Sequence, residues 1–178
     1  MGWFNVLKGA YPSLQQIDKT LNVAAQQSGI VRGSCIYQSS ATEFSLATVT
    51  QATDEEAYIY FCLVAQDDLV AGMAGSKGQG APNGVAKITG LAVGMPMEFE
   101  TSEFITDTYH VGQLLSVANG GKLTAHGSGD NVVAQVTKTV ATRWVNDAIA
   151  VTGFRTGANM AILTARTLWL PCYTCRQE

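Results

Sequence analysis

Four carboxylates lie close together in the middle of this sequence: Glu98, Glu100, Glu103 and Asp107. Glu98 and Glu100 are two apart in an alternating stretch, so on a strand both point to one face. Two carboxylates across a cleft can hydrolyse a glycoside, and several together can hold calcium. A glycosidase, however, sets its two acids on different elements facing a sugar groove, whereas charges two apart on one strand usually make its solvated face. His110 and His126 are the only histidines. Either could act as a general base, but no G-x-S-x-G, H-E-x-x-H or P-loop accompanies them. Gly121-Lys122-Leu123 lacks the hydroxyl that a P-loop places on magnesium. Gly78-Gln79-Gly80 is no dinucleotide fingerprint, because the next glycine is one residue late and Pro82 would break the turn. Cys172-Tyr173-Thr174-Cys175 is a C-x-x-C with no second pair and no His pair to complete four zinc ligands. A redox C-x-x-C opens a helix, and here only Arg176-Gln177-Glu178 follow. The residues therefore predict no catalytic centre, no cofactor and no metal, and a protein that is not an enzyme.

The scaffold that would carry such residues is constrained by composition. The chain has 178 residues, 47% hydrophobic and only 14% charged, with net charge −3. It can build one sizeable core, and much of its surface must be Ser, Thr, Gln, Asn, Gly and Ala. Such a surface suits close packing between proteins, because little charge has to be desolvated on contact. Basic residues are scattered singly, so no run follows a phosphate backbone and no direct nucleic-acid binding is expected. The most apolar stretch, Tyr58 to Ala65, is too short to cross a bilayer. Met1-Gly2-Trp3-Phe4 lacks a signal peptide's basic and apolar regions, and Gly2 lacks the downstream hydroxyl of a myristoylation site. Cys35 and Cys62 sit inside apolar runs and read as small buried hydrophobes.

Residues 1 to 12 read as an extended N-terminal arm stopping at Pro12, whose large residues Trp3, Phe4, Leu7 and Tyr11 either fold back on the domain or anchor the arm on a neighbour. Ser13 and Gln16 look like a capping box, and Leu14, Ile17, Leu21 and Ala24 fall at helical spacing, predicting a short helix over 14–26. After Gly29 the texture is that of strands. Candidates are Ile30 to Tyr37 (with Gly33 as a bulge or close approach), Phe44 to Thr50, and Tyr58 to Ala65, the last covered on both faces. The glycine-rich segment from Gly72 to Gly84 reads as a loop, with Gly78, Gly80 and Pro82 as candidate contact residues. Further strands are expected at Val85–Leu91, Met97–Thr101, Leu114–Val117, Lys122–Ala125, Val132–Val136, Arg143–Val151 and Ala158–Leu170. Tight turns at Asn119-Gly120-Gly121 and Gly127-Ser128-Gly129-Asp130 separate some of them. Trp144 and Trp169 lie in apolar runs and read as core. The predicted fold is mainly β: a small β-barrel or β-sandwich in one domain over 13–178, with one short N-terminal helix and the arm.

One stretch carries a resemblance. It runs Ile88-Thr-Gly-Leu-Ala-Val, then Met97-Glu-Phe-Glu-Thr-Ser-Glu-Phe104, Tyr109-His-Val-Gly-Gln-Leu-Leu-Ser116, Gly120-Gly-Lys-Leu-Thr124 and Asp130-Asn-Val-Val-Ala-Gln-Val136. This succession resembles the head decoration, or capsid cement, proteins of tailed bacteriophages, with their E-T-x-x-F/Y, Y-x-x-G-x-x-L and D-x-V-V-G-x-V strands. Leu21-Asn-Val and Gly29-Ile-Val-Arg-Gly-Ser-Cys-Ile36 are similar to their early strand. Ala134 departs from the usual glycine, and the segment beyond Trp144 has no counterpart. The resemblance implies a protein made in the host cytoplasm and carried on the capsid exterior of the virion. Its partner would be the major capsid protein, and it would itself be a homo-oligomer, trimer or dimer. Rival expectations are a tail-tube or other virion structural subunit, a carbohydrate-acting or metal-dependent hydrolase, and a calcium-binding adhesion module.

Overall fold

The computed structural model describes residues 3–8, 16–23, 30–54, 59–64, 87–93, 97–149 and 155–168. The described residues are mainly β, with eleven strands and one short helix. The strands are β1 (Phe4–Lys8), β2 (Gln16–Val23), β3 (Cys35–Ser40), β4 (Glu43–Leu46), β5 (Ile59–Val64) and β6 (Lys87–Val93). After them come β7 (Glu98–Thr101), β8 (Leu114–Ala118), β9 (Lys122–Ala125), β10 (Ala134–Ile149) and β11 (Arg155–Thr167). The helix α1 (Val49–Thr53) lies between β4 and β5.

Two sheets form. The larger has the order β1-β7-β11-β10-β8-β9. The smaller pairs as β2-β4-β3-β5-β6, and β2 also pairs with β6, so its ladder runs back on itself. All its pairings are antiparallel except a short parallel one, Asn22 with Glu43 and Val23 with Phe44.

Alternation along β3 and β5 divides the interior in two. Cys35 and Phe61 face the principal core, which they share with Phe4, Met97, Phe99, Leu115, Leu123, Val136 and Leu163 of the larger sheet. Ile36, Tyr60 and Cys62 face the other way, into a second cluster with Ile30 and Phe44. Both faces of β5 are therefore covered, as its unbroken apolar run predicts. Phe61 links the layers directly: its ring lies 4.9 Å from Phe99 and 5.5 Å from Phe4. Cys35 and Cys62 are both buried, as expected.

One N-terminal expectation needs correcting. The helix predicted over 14–26 is instead a strand at Gln16–Val23. Ile17, Leu21 and Val23 also alternate with Gln16, Asp18, Thr20 and Asn22, and that period of two is the one the fold uses. Thr, Asn, Asp and Val are poor helix formers, and a short isolated helix is marginal in water. A seven-residue antiparallel ladder with β6 fixes the strand instead. The N-terminal segment, over its described part, lies back on the domain, one of the two fates expected for it. Phe4–Lys8 forms β1 at the edge of the larger sheet, paired with β7. Trp3 is clamped at its start: its N–H donates to Ser102 Oγ (2.9 Å), and its carbonyl accepts the Ser102 N–H (3.0 Å).

The fold's one described helix sits where a strand was expected to continue, after Leu46. Thr48 and Gln51 form a capping box: the Thr48 N–H donates to Gln51 Oε1 at 3.0 Å, and Thr48 Oγ1 accepts the Thr50 N–H at 3.2 Å. Two close approaches set the turns. Gly33 (φ +89°) lies against Thr101 and the Trp3 carbonyl, the close approach expected there. Gly121 (φ +67°) lies against the Cys35 carbonyl, gives its own carbonyl to the Cys35 N–H (2.7 Å) and donates to the Ala47 carbonyl (2.9 Å).

Candidate interaction surface

The carboxylates around β7 go to separate partners. Glu98 and Glu100 share a face of the strand, as alternation requires, while Met97 and Phe99 face the core. That shared face is not simply solvated. Glu98 Oε1 accepts from Thr137 Oγ1 at 3.1 Å. Glu100 is 3% exposed and is bound by Arg143 Nη1 at 2.6 Å. Glu103 is buried, and its Oε1 accepts from Ser102 Oγ at 3.1 Å. Asp107 is exposed, and its Oδ1 caps the Thr108 N–H at 2.7 Å. Among the described residues no three His, Cys, Asp or Glu side chains gather in a way that could hold a metal ion.

His110 is exposed in a turn, where its N–H donates to Gln113 Oε1 at 3.0 Å. His126 is half-buried, and its Nδ1, like Ser116 Oγ, is buried with no protein hydrogen-bond partner. Burial pushes the Cys35 thiol far above its ordinary pKa, and the nearby Glu103 charge pushes it the same way. A thiol held protonated is a poor nucleophile. Tyr109 is likewise raised, first by burial and then by Asp107, with a Thr124 hydrogen bond acting against them. Its hydroxyl donates to the Ile105 carbonyl at 2.7 Å.

Of the residues proposed to meet a partner, the described ones divide. Phe4 is 4% exposed, stacked against both Phe61 and Phe99 in a three-ring cluster, so its side chain serves this chain's own core. Trp3 is half-buried. Leu7, on the same edge strand, is 36% exposed and remains available. Tyr11, Gly78, Gly80 and Pro82, together with Cys172 and Cys175, lie outside the described residues, as does Trp169.

The surface feature that the sequence reading missed is on β10. Trp144, expected in the core, is 64% exposed. The reason lies in the sheet's unequal strand lengths. β8 covers β10 only at Ala134 and Gln135, and β7 covers β11 only from Leu163 to Arg166. Beyond these the two long strands pair only with each other among the described residues, out to Ile149 and Arg155. Exposure records the change. Ile162, Leu163, Thr164 and Ala165 are all buried, so both faces of β11 are covered there. From Lys138 to Trp144 every residue except the half-buried Val140 is exposed, so both faces of β10 are wet. The two strands leave the body as a ribbon. A signal for it exists in the sequence: Ala134 to Ile149 contains no Gly or Pro, so nothing stops a strand far longer than the usual five or six residues.

Set against models of protein families, curated proteins and solved structures, the chain matches none. No helix among the described residues is long and apolar enough to cross a membrane.

Proposed function

We propose that this chain is a capsid decoration, or cement, protein of a tailed bacteriophage, binding the outside of the expanded head and holding it against internal DNA pressure. The observation that carries the reading is where the resemblance residues fall. Thr101, Phe104, Tyr109, Leu115, Leu123, Val132 and Val136 are all buried. Gly112 takes a left-handed turn at φ +89°. The shared pattern is thus a folding pattern, spent on core and turns, which fits a scaffold whose work is to present a surface. The finer architecture we read as two sheets joined face to face through one core, the smaller curling on itself.

The mechanism follows from mass action. A protein that binds only the assembled shell shifts the equilibrium toward it. Many copies acting together need only modest individual affinity. A sparsely charged surface lowers the desolvation cost of each contact. The test is the disruption temperature of expanded heads with and without saturating protein, which should rise with occupancy and stop rising at a fixed ratio.

The projecting ribbon favours a second reading, a tail-tube or other virion subunit that assembles through its own strands. Such a subunit forms rings or tubes without a shell. A hydrolase would lose turnover when Glu98, Glu100 or His110 is replaced by Ala, whereas a cement protein keeps its shell binding.

A further inference from the structure

We infer that the β10–β11 ribbon is a contact arm that seats on a second copy of this chain. A two-stranded ribbon is marginal in water, because it has no third layer to bury its faces. Here the outer edge of each strand carries main-chain donors and acceptors that no described strand pairs, which is a template for addition of further chain. Trp144, directly across from Asn159, stands 64% exposed on the ribbon. A large exposed Trp beside the small residues Thr142 and Ala161, which share its face, is the composition of an interface anchor.

The ribbon can supply a substantial part of such a contact. Eight β11 residues from Arg155 to Ile162 span about 27 Å, and two strands are about 10 Å wide, giving roughly 500–600 Å² over both faces before side-chain relief. One partner's share of a standard interface is about 800 Å².

Charge points to the occupant. Residues 138–162 hold Lys138, Arg143 and Arg155 against one acid, Asp147; with Arg143 already paired to Glu100 of the body, the ribbon keeps a net +1. The chain as a whole is −3, so the remainder, with Glu100 taken up by that pair, carries −4. A basic arm on an otherwise acidic protein complements the body of another copy, which favours a head-to-tail contact that closes into a small ring. Register shifts between Lys138 and Ala141 and between Asn146 and Ile149 twist the arm, which limits indefinite edge-to-edge stacking.

The inference does not depend on the capsid reading, since it concerns the protein alone. Sedimentation of the full chain over a hundredfold concentration range tests it, with amide exchange read on the ribbon. The expected result is a concentration-dependent oligomer in which ribbon amides slow as it forms. Trp144→Ala and Thr142→Lys should each raise the dissociation constant tenfold or more while leaving the melting temperature of the monomer unchanged. Raising salt should weaken the oligomer. A chain that stays monomeric throughout overturns the inference. So does an oligomer whose affinity ignores both variants and whose ribbon amides exchange as fast as in the monomer.

Discussion

Arg143, on the ribbon, reaches back across β11 and places its Nη1 2.6 Å from Oε1 of Glu100, a carboxylate 3% exposed on β7. Glu100 is thereby a buried charge whose partner stands half in water, with the Arg143 side chain 46% exposed. The pair ties the middle of the ribbon to the body. Arg143→Ala leaves the carboxylate buried without its cation and should cost about 1–3 kcal/mol, below the figure for a fully buried pair. On a Glu100→Gln background the same change should cost less than about 0.5 kcal/mol. Urea denaturation of the four proteins closes the cycle, and equal costs on both backgrounds would show that the pair is uncoupled.

Adjacent glycines in the β8–β9 turn separate backbone strain from collision. Gly120 (φ +78°) has open space where a Cβ would go. Gly120→Ala should cost about 1 kcal/mol, the penalty of the left-handed conformation alone. At Gly121 a Cβ would sit 2.5 Å from the Cys35 carbonyl oxygen and 2.7 Å from Leu46 Cδ2. Gly121→Ala should cost more than about 3 kcal/mol, because that carbonyl belongs to a strand and cannot move aside. Denaturant midpoints of the two variants measure the difference directly.

Phe4 and Leu7 distinguish a built-in strand from a detachable arm. Phe4→Ala empties a space beside Phe61 and Phe99 and should destabilise by about 3–5 kcal/mol. Leu7→Ala, at a partly exposed edge, should cost under about 1 kcal/mol. Deleting residues 1 to 12 should therefore lower the melting temperature sharply, whereas an arm lying free of the body could be removed without loss.

Stability should fall on the alkaline side. Burial keeps the Cys35 thiol protonated in the folded state at pH values where the unfolded chain ionises it. The unfolded state then binds fewer protons than the native, so stability is full below about pH 8.5 and declines above it, by at most about 1.4 kcal/mol per pH unit for this group. Tyr109, also raised, adds a decline of the same sign above about pH 10. Denaturant midpoints at pH 8 and 10.5 should differ for the native sequence and differ less for Cys35→Ala. The native thiol should also resist alkylation at pH 9 until the protein is unfolded.

Much of the β framework is legible in the sequence because period-two alternation and glycine turns are local. Lys122–Ala125 falls where its turn residues put it, and the β5 run announces a strand buried on both faces. The failures share a cause, which is competition between two local patterns that only tertiary pairing resolves. Residues 16–23 satisfy helical and strand spacing at once, and the partner β6 decides. Thr48 and Gln51 carry the same capping signature as Ser13 and Gln16, yet only the former is a described helix start. Trp144 illustrates a different limit. Hydrophobicity marks a residue as able to be buried, but its exposure depends on where β7 and β8 stop, which its own neighbourhood does not encode. Glu100 is the converse, a charge that reads as solvated and is buried by a cation on a distant strand.

The central claim is that this protein binds an assembled shell. Co-sedimentation of the purified full chain with expanded heads that lack it is the most direct measurement. Saturable binding at a fixed ratio to the major capsid subunit is the predicted result. Failure to sediment with the heads at any concentration, while the protein remains folded, would contradict it.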